Sequence, residues 1–249
     1  VSRSDMSSGG ADSLRTRRRH LRPSRGDGFR RGARETAFII VSALILSALV
    51  RAFLVQAFYV PSASMEDTLM VSDRIIASKI STRIAGVARG EVVVFRDPGD
   101  WLPDPPAPAD NLRNKARSAL TFIGLLPSDT GQDLVKRAIG IAGDRVACCD
   151  AQGRIEVNGV GLDEPYIKGP TDQVAFDIVV PPQSMFVLGD NRGDSRDSRY
   201  HLEVNNGAIP LANAVGRVVL VVWPFTAFGT LSIPAAFGSI PAAPGQGGN

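Results

Sequence analysis

Histidine is scarce in this chain: among 249 residues there are only two, His20 and His201. A histidine-activated nucleophile must therefore use one of these, and a His-rich metal centre is excluded. Cysteine is equally scarce, and the two present, Cys148 and Cys149, are adjacent, so no disulfide framework can be built from them. Neighbouring cysteines seldom reach disulfide geometry, and the pair is expected to be partly buried structural thiols. Lysine occurs four times, as Lys79, Lys115, Lys136 and Lys168, against 24 arginines. Aromatic residues make up 6% of the chain, and the Arg-rich first residues hold only Phe29 for base stacking. No nucleic-acid partner is expected from such a segment.

There is one long apolar run. From Thr36 to Val50 the sequence carries no charge, between Glu35 and Arg51. Fifteen helical residues rise about 23 Å, short of a hydrocarbon core of roughly 30 Å. A helix over residues 36–58 is long enough to span, with Arg51 snorkelling to the headgroups. The alternative is a helix that ends near Arg51, followed by a strand from Ala52 to Val60. Residues 1–35 hold ten arginines against four acidic residues and almost nothing apolar, which predicts a disordered cytoplasmic tail. Basic residues before the span place the N-terminus in the cytoplasm and all that follows outside it. A cleavable leader with a cut after Val55-Gln56-Ala57 is the rival, and Arg51 interrupts it where it should be unbroken.

Beyond the span, short apolar runs separated by Gly and Pro predict a mainly β, antiparallel domain over residues 59–230. The expected strands are Asp73–Ala77, Glu91–Phe95, Leu134–Ile141, Arg145–Cys148, Arg154–Val157, Val174–Val180, Met185–Leu188 and Arg217–Trp223, with a tight turn at Asn158-Gly159. Residues 97–133 interrupt them: a proline-rich stretch, then an amphipathic helix over 111–126, packed on the domain or lying on the membrane. Residues 231–249, rich in Ala, Pro and Gly, are expected to be a flexible tail.

The segment Val60-Pro61-Ser62-Ala63-Ser64-Met65-Glu66-Asp67-Thr68-Leu69 places two serines in a turn just after the span. A serine hydroxyl attacks only if a base takes its proton. His20 lies on the other side of the membrane, and His201, in a polar run, is expected at the surface. A lysine serves as base only where an apolar surrounding frees its neutral form. Lys115 and Lys168 are expected to be solvated, and Lys79 to be an exposed strand position. Lys136, in Leu134-Val135-Lys136-Arg137-Ala138-Ile139-Gly140, has the most apolar flanks and is the best candidate. Taken alone, Ser62 is a turn-forming serine.

Four stretches in this order resemble the type I (leader) signal peptidases, membrane-bound serine proteases of the Ser-Lys dyad kind found in bacteria. They are Pro61-Ser62-Ala63-Ser64-Met65 with Thr68-Leu69; Gly90-Glu91-Val92-Val93-Val94-Phe95; Val135-Lys136-Arg137-Ala138-Ile139-Gly140 with Gly143-Asp144; and Gly189-Asp190-Asn191-Arg192 with Ser195, Asp197, Ser198 and Arg199. The resemblance implies that Ser64 is the nucleophile and Lys136 the general base. It implies an oxyanion hole from the Ser64 N–H and the Ser62 hydroxyl, and a Ser195 hydroxyl that orients the lysine amine. Asp197, Arg199, Asp190 and Arg137 would support the site structurally, and Met65, Leu69, Leu134 and Val135 would line the substrate subsites. Many members carry proline where Asp67 stands; an aspartate can hold a similar turn through local hydrogen bonds.

The partners so implied are exported preproteins with signal peptides and the membrane lipid, with no metal and no cofactor. Two other classes compete: a non-catalytic membrane-anchored β domain that binds export partners, and a Ser-Lys self-cleaving protease of related fold.

Overall fold

The computed structural model describes residues 25–99, 101–103, 111, 114–115, 120 and 131–243. It divides into two units, residues 1–43 and 44–249. Helix α1 runs over Arg25–Phe53. Within it, Gly32–Val50 is long and apolar enough to cross a membrane, one such helix among the described residues. Phe38, Ile39, Ile45 and Leu46 on it are all more than half exposed. Both of its ends differ from the expectation of a span over 36–58 behind a disordered tail, and its C-terminal end matches the alternative of a helix ending near Arg51 followed by a strand. The helix starts within the Arg-rich stretch, because Arg, Ala and Glu favour helix as well as most apolar residues do. It stops at Phe53 because the next residues pair as a strand.

That strand, β1 (Val55–Tyr59), runs antiparallel to β2 (Arg74–Ser78) with Ala57 opposite Ile76. A leader-type cut after Ala57 would sever it. Next come the short helix α2 (Lys79–Ile84), β3 (Val92–Arg96), β4 (Asp133–Ile141) and β5 (Arg145–Cys148). The strands β6 (Ile155–Val157), β7 (Val160–Gly161), β8 (Phe176–Val179) and β9 (Ser184–Leu188) follow. The last are β10 (Ile209–Pro210), β11 (Ala214–Trp223) and β12 (Gly229–Thr230).

One antiparallel sheet has the order β1-β2-β11-β3-β4-β9-β10, with β12 on β11; the second has the order β7-β6-β5-β8. The mainly β antiparallel expectation holds. The turn at Asn158-Gly159 has φ of 52° and 80°, and with Val157 opposite Val160 it makes the two-residue hairpin that Asn-Gly favours. Strand β4 passes between β3 and β9 and connects through Asp144 to β5, so it belongs to the covered middle of the large sheet. Val135 packs with Phe58, Met65, Leu69, Ile75, Val92 and Val94, a core that joins the strand of Lys136 to the turn of Ser64.

Two further expectations are corrected. Cys148 and Cys149 are not thiols but a disulfide. Residues 231–243 are not a loose tail: Phe237, Ile240 and Ala243 are buried, and Asn158 Nδ2 donates to Pro241 O at 3.0 Å. The reason is a gap at Gly90, where a Cβ would come within 2.6 Å of Phe237. A few apolar side chains in a Pro-rich segment suffice to dock when a bare backbone faces them. Of the insertion, Asp97 accepts the N–H groups of Gly99 and Leu102, both at 2.9 Å, and Trp101 is buried. The rest of the expected amphipathic helix lies largely outside the described residues.

Candidate active site

Strand β1 leads through Val60 and Pro61 into a short 3-10 turn at Ala63–Met65, entered from an extended Ser62. Glu66 (φ −52°, ψ 151°) and Asp67 (φ 76°) then form a type II turn, closed by Thr68 N–H on Met65 O at 3.1 Å. The turn is held by its backbone and by the left-handed Asp67, rather than by the side-chain hydrogen bonding expected of that residue. Outside contacts fix it in place. Asn191 donates its N–H to Ser64 O and its Nδ2 to Ala63 O, both at 3.1 Å, and Thr68 Oγ1 donates to Asp190 Oδ2 at 2.5 Å. On the outer side Lys168 Nζ pairs with Glu66 Oε2 at 2.7 Å.

Lys136 enters from β4, where it sits opposite Val93, and it is 2% exposed. Its Nζ donates to Ser64 Oγ. Burial lowers its pKa from 10.5 to about 8; Asp197, Asp190 and Asp194 oppose that shift, and Arg199 adds to it. Desolvation wins because the charge loses its water while those carboxylates give back only part of the loss. Ser62 Oγ lies 3.4 Å from Ser64 Oγ. A cavity of about 210 Å³ opens beside these groups, walled by Phe58, Val60, Met65, Leu134 and Val135 among others. A buried amine at a serine hydroxyl, next to a shallow apolar cavity, is chemically equipped to deprotonate that hydroxyl and receive a small side chain.

The profile of the family described as "Signal peptidase, peptidase S26" matches residues 33–223. The chain belongs to this family. Signal peptidase I of Mycobacterium tuberculosis is 34% identical over 222 residues, 80% of this chain and 75% of that one. A probable signal peptidase I-2 of Synechocystis is 35% identical over 184 residues, 74% of this chain and 70% of the other. A crystal structure of a signal peptidase I from Enterococcus faecalis matches with a TM-score of 0.34 and 24% identity, covering 53% of this chain and 95% of that one. The chain is accordingly a serine endopeptidase of the signal peptidase family, and α1 fits a single-pass membrane anchor.

Around Lys136 and Ser64 a chain of ion pairs is buried. Arg137 donates from Nε and Nη2 to Asp190 at 2.9 and 2.6 Å and from Nη1 to Gly90 O at 2.7 Å, and its guanidinium stacks on Tyr166 at 4.3 Å. Tyr166 donates to Glu164, which also pairs with Arg192 at 2.6 Å. Asp197 accepts from Arg199 at 2.8 Å and from Gly189 N–H at 3.0 Å. Gly189 must be glycine, since a Cβ there would come within 2.5 Å of Ser64 O.

The structure thus brings Ser62, Ser64, Lys136, Arg137, Asp190, Asp197 and Arg199 to one place, with Met65, Leu134 and Val135 on the cavity wall. Leu69 is fully buried in the core and is absent from that wall. Ser195 is buried, but its Oγ has no hydrogen-bond partner, so the bond to Lys136 that the resemblance implies is not present. His201 is half-buried rather than free at the surface: its ring stacks on Trp101 at 4.3 Å, its Nε2 is buried and burial lowers its pKa. It lines a separate cavity with Trp101, Arg196 and Tyr200. Lys79, expected on a strand, begins α2 and is half-buried, whereas Lys168 is exposed as expected. Thr68, Asn191, Tyr166 and Glu164 join the site only in the structure. Asn191 and Thr68 lie in the matched stretches, but no local pattern marks Tyr166 or Glu164.

Proposed function

We propose that this enzyme removes signal peptides from exported preproteins, cutting after small residues with Ser64 as nucleophile and Lys136 as general base. The observation that carries the reading is the buried Lys136 amine hydrogen-bonded to Ser64 Oγ. A neutral amine takes the Ser64 proton as Oγ attacks the scissile carbonyl, and returns it to the leaving amine as the C–N bond breaks. The same amine then deprotonates a water that hydrolyses the acyl ester and gives that proton back to Ser64. Charge that develops on the carbonyl oxygen is met by the Ser64 N–H and the Ser62 hydroxyl, donors useful only at the transition state. Met65, Leu134 and Val135 shape a cavity suited to small residues flanking the cut site. Asp190 and Arg137, with Asp197 and Arg199, hold the loop after β9 against β4 and the turn of Ser64.

The anchor sets where this happens. The excess of arginine before α1 favours a cytoplasmic N-terminus, with the β domain beyond residue 58 on the far side. There enzyme and preprotein share one membrane surface. The test is cleavage of a preprotein in detergent by the wild type, Ser64→Ala and Lys136→Ala, with folding checked by circular dichroism and the product's new N-terminus read by mass spectrometry. Loss of cutting in both folded variants supports the dyad. Retained cutting by Lys136→Ala with loss in Lys79→Ala or His201→Ala overturns it.

A further inference from the structure

The loop after β9 grips the nucleophile turn through two neighbouring residues, Asp190 at Thr68 and Asn191 at the backbone on either side of Ser64. Asn191 donates its backbone N–H to Ser64 O and its side-chain Nδ2 to Ala63 O, each at 3.1 Å. These carbonyls belong to consecutive peptide units on either side of the Ser64 Cα. A peptide unit is planar and trans, with its C=O and N–H directed oppositely. A donor that fixes Ala63 O therefore also fixes the direction of the Ser64 N–H. The Glu66 N–H reaches Ala63 O as well, at 3.0 Å, but that bond lies inside the turn and rotates with it. Asn191 pulls from outside.

Its own position is secured. Lys168 N–H donates to Asp190 O and Arg192 N–H donates to Lys168 O, both at 2.8 Å, so the residues flanking Asn191 are bridged to Lys168. The Asn191 side chain is buried. Its amide faces two acceptors, Ala63 O and, at 3.5 Å, Glu66 Oε2, which requires the NH2 end to point toward the turn. Lys168 Nζ holds the same Glu66 oxygen at 2.7 Å, so the acceptor that steers the amide is itself tethered.

We propose that Asn191 is a positioning residue of the oxyanion hole: it holds the Ala63–Ser64 peptide so that the Ser64 N–H meets the oxygen of the tetrahedral intermediate. The inference rests on the dyad reading above and deepens it. Asn191→Asp keeps the shape but sets a carboxylate against two acceptors. Asn191→Leu removes the donor and keeps the backbone bond to Ser64 O.

The experiment compares both variants with the wild type, full-length in detergent. It reads kcat and KM on a signal-peptide substrate, and inhibition by a peptide aldehyde of the same sequence, which forms a tetrahedral adduct with a serine. Asn191→Asp is expected to lower kcat about 100-fold and Asn191→Leu about 10-fold, because loosening a donor costs less than deleting one. KM stays within about twofold and the aldehyde weakens by the same factor as kcat, as for a group that acts only in the transition state. In Asn191→Leu the acid limb of the pH profile stays in place, since that change adds no charge near the lysine. A merely structural role would instead raise KM or, in Asn191→Leu, move the pH profile, and either result overturns the proposal, as does wild-type kcat in both variants. If Asn191→Leu does not fold, the isosteric Asn191→Asp alone decides. Ser64→Ala and Lys136→Ala in the same assay separate the two ideas: if they still cut, the dyad itself falls; if they are dead and the Asn191 variants are normal, only this inference falls.

Discussion

Lys136 and Ser64 lie 72 positions apart in sequence, and the amine of one is hydrogen-bonded to the hydroxyl of the other in a setting almost closed to solvent. One comes from the middle of a nine-residue strand, the other from a three-residue turn. Their meeting depends on the core that Val135 and Met65 share.

A base with a pKa of about 8 sets the acid limb of the rate profile. With Lys136 as the base, kcat/KM rises tenfold per pH unit below that value and levels off above it. A pH series on a peptide substrate checks this. A limb near pH 6.5 instead would point to an imidazole.

The same burial costs stability. The Lys136 pKa falls from 10.5 unfolded to about 8 folded, so below pH 8 the folded chain carries a charge that burial disfavours. The unfolded chain binds the extra proton between pH 8 and 10.5, and stability rises with pH across that window. Lys136→Met is expected to be inactive yet more stable at pH 7 by about 1–3 kcal/mol, measured by urea denaturation. A less stable variant would mean that the lysine is well paired.

Ser62→Ala removes the proposed second oxyanion donor. Turnover falls about 100-fold while KM hardly moves, and Ser62→Thr recovers part of the loss by restoring a hydroxyl. Steady-state kinetics on one substrate reads all three numbers. An unchanged kcat would return Ser62 to the part of a turn-forming serine.

Breaking the buried Arg137–Asp190 pair leaves one charge without its partner. Asp190→Leu is expected to cost about 3–5 kcal/mol, and the double change Arg137→Met with Asp190→Leu less than the single one. Chemical denaturation of the three variants checks the order. Strictly additive losses would deny the pairing.

Much of the strand pattern was legible because most strands are short apolar runs ended by Gly, Pro or Asp, as at Glu91–Phe95 and Arg145–Cys148. Lys136 was legible by elimination, since only four lysines were available and one had apolar flanks. Strand β1 was legible only as the alternative of a helix ending near Arg51 with a strand over Ala52–Val60, because Val-Gln-Ala-Phe-Tyr continues the apolar run without a break and hydropathy alone cannot say where a helix yields to a strand. The docking of Phe237 at Gly90 was illegible for another reason: it depends on a missing side chain far away in sequence. So does the Thr68–Asp190–Arg137 contact, which exists only once three separate segments are packed. The stacking of His201 on Trp101 joins residues whose local sequence is polar, and nothing local marks it.

The left-handed backbone at Asp67 bears on how this enzyme can diverge from its relatives. Proline fixes φ near −65°, so the residue common at this place in the family cannot simply be substituted here, where φ is 76°. Asp67→Gly relieves the conformation and Asp67→Pro breaks it. Position 67 and the turn around it must change together, so an exchange of Asp67 for proline is epistatic with its neighbours.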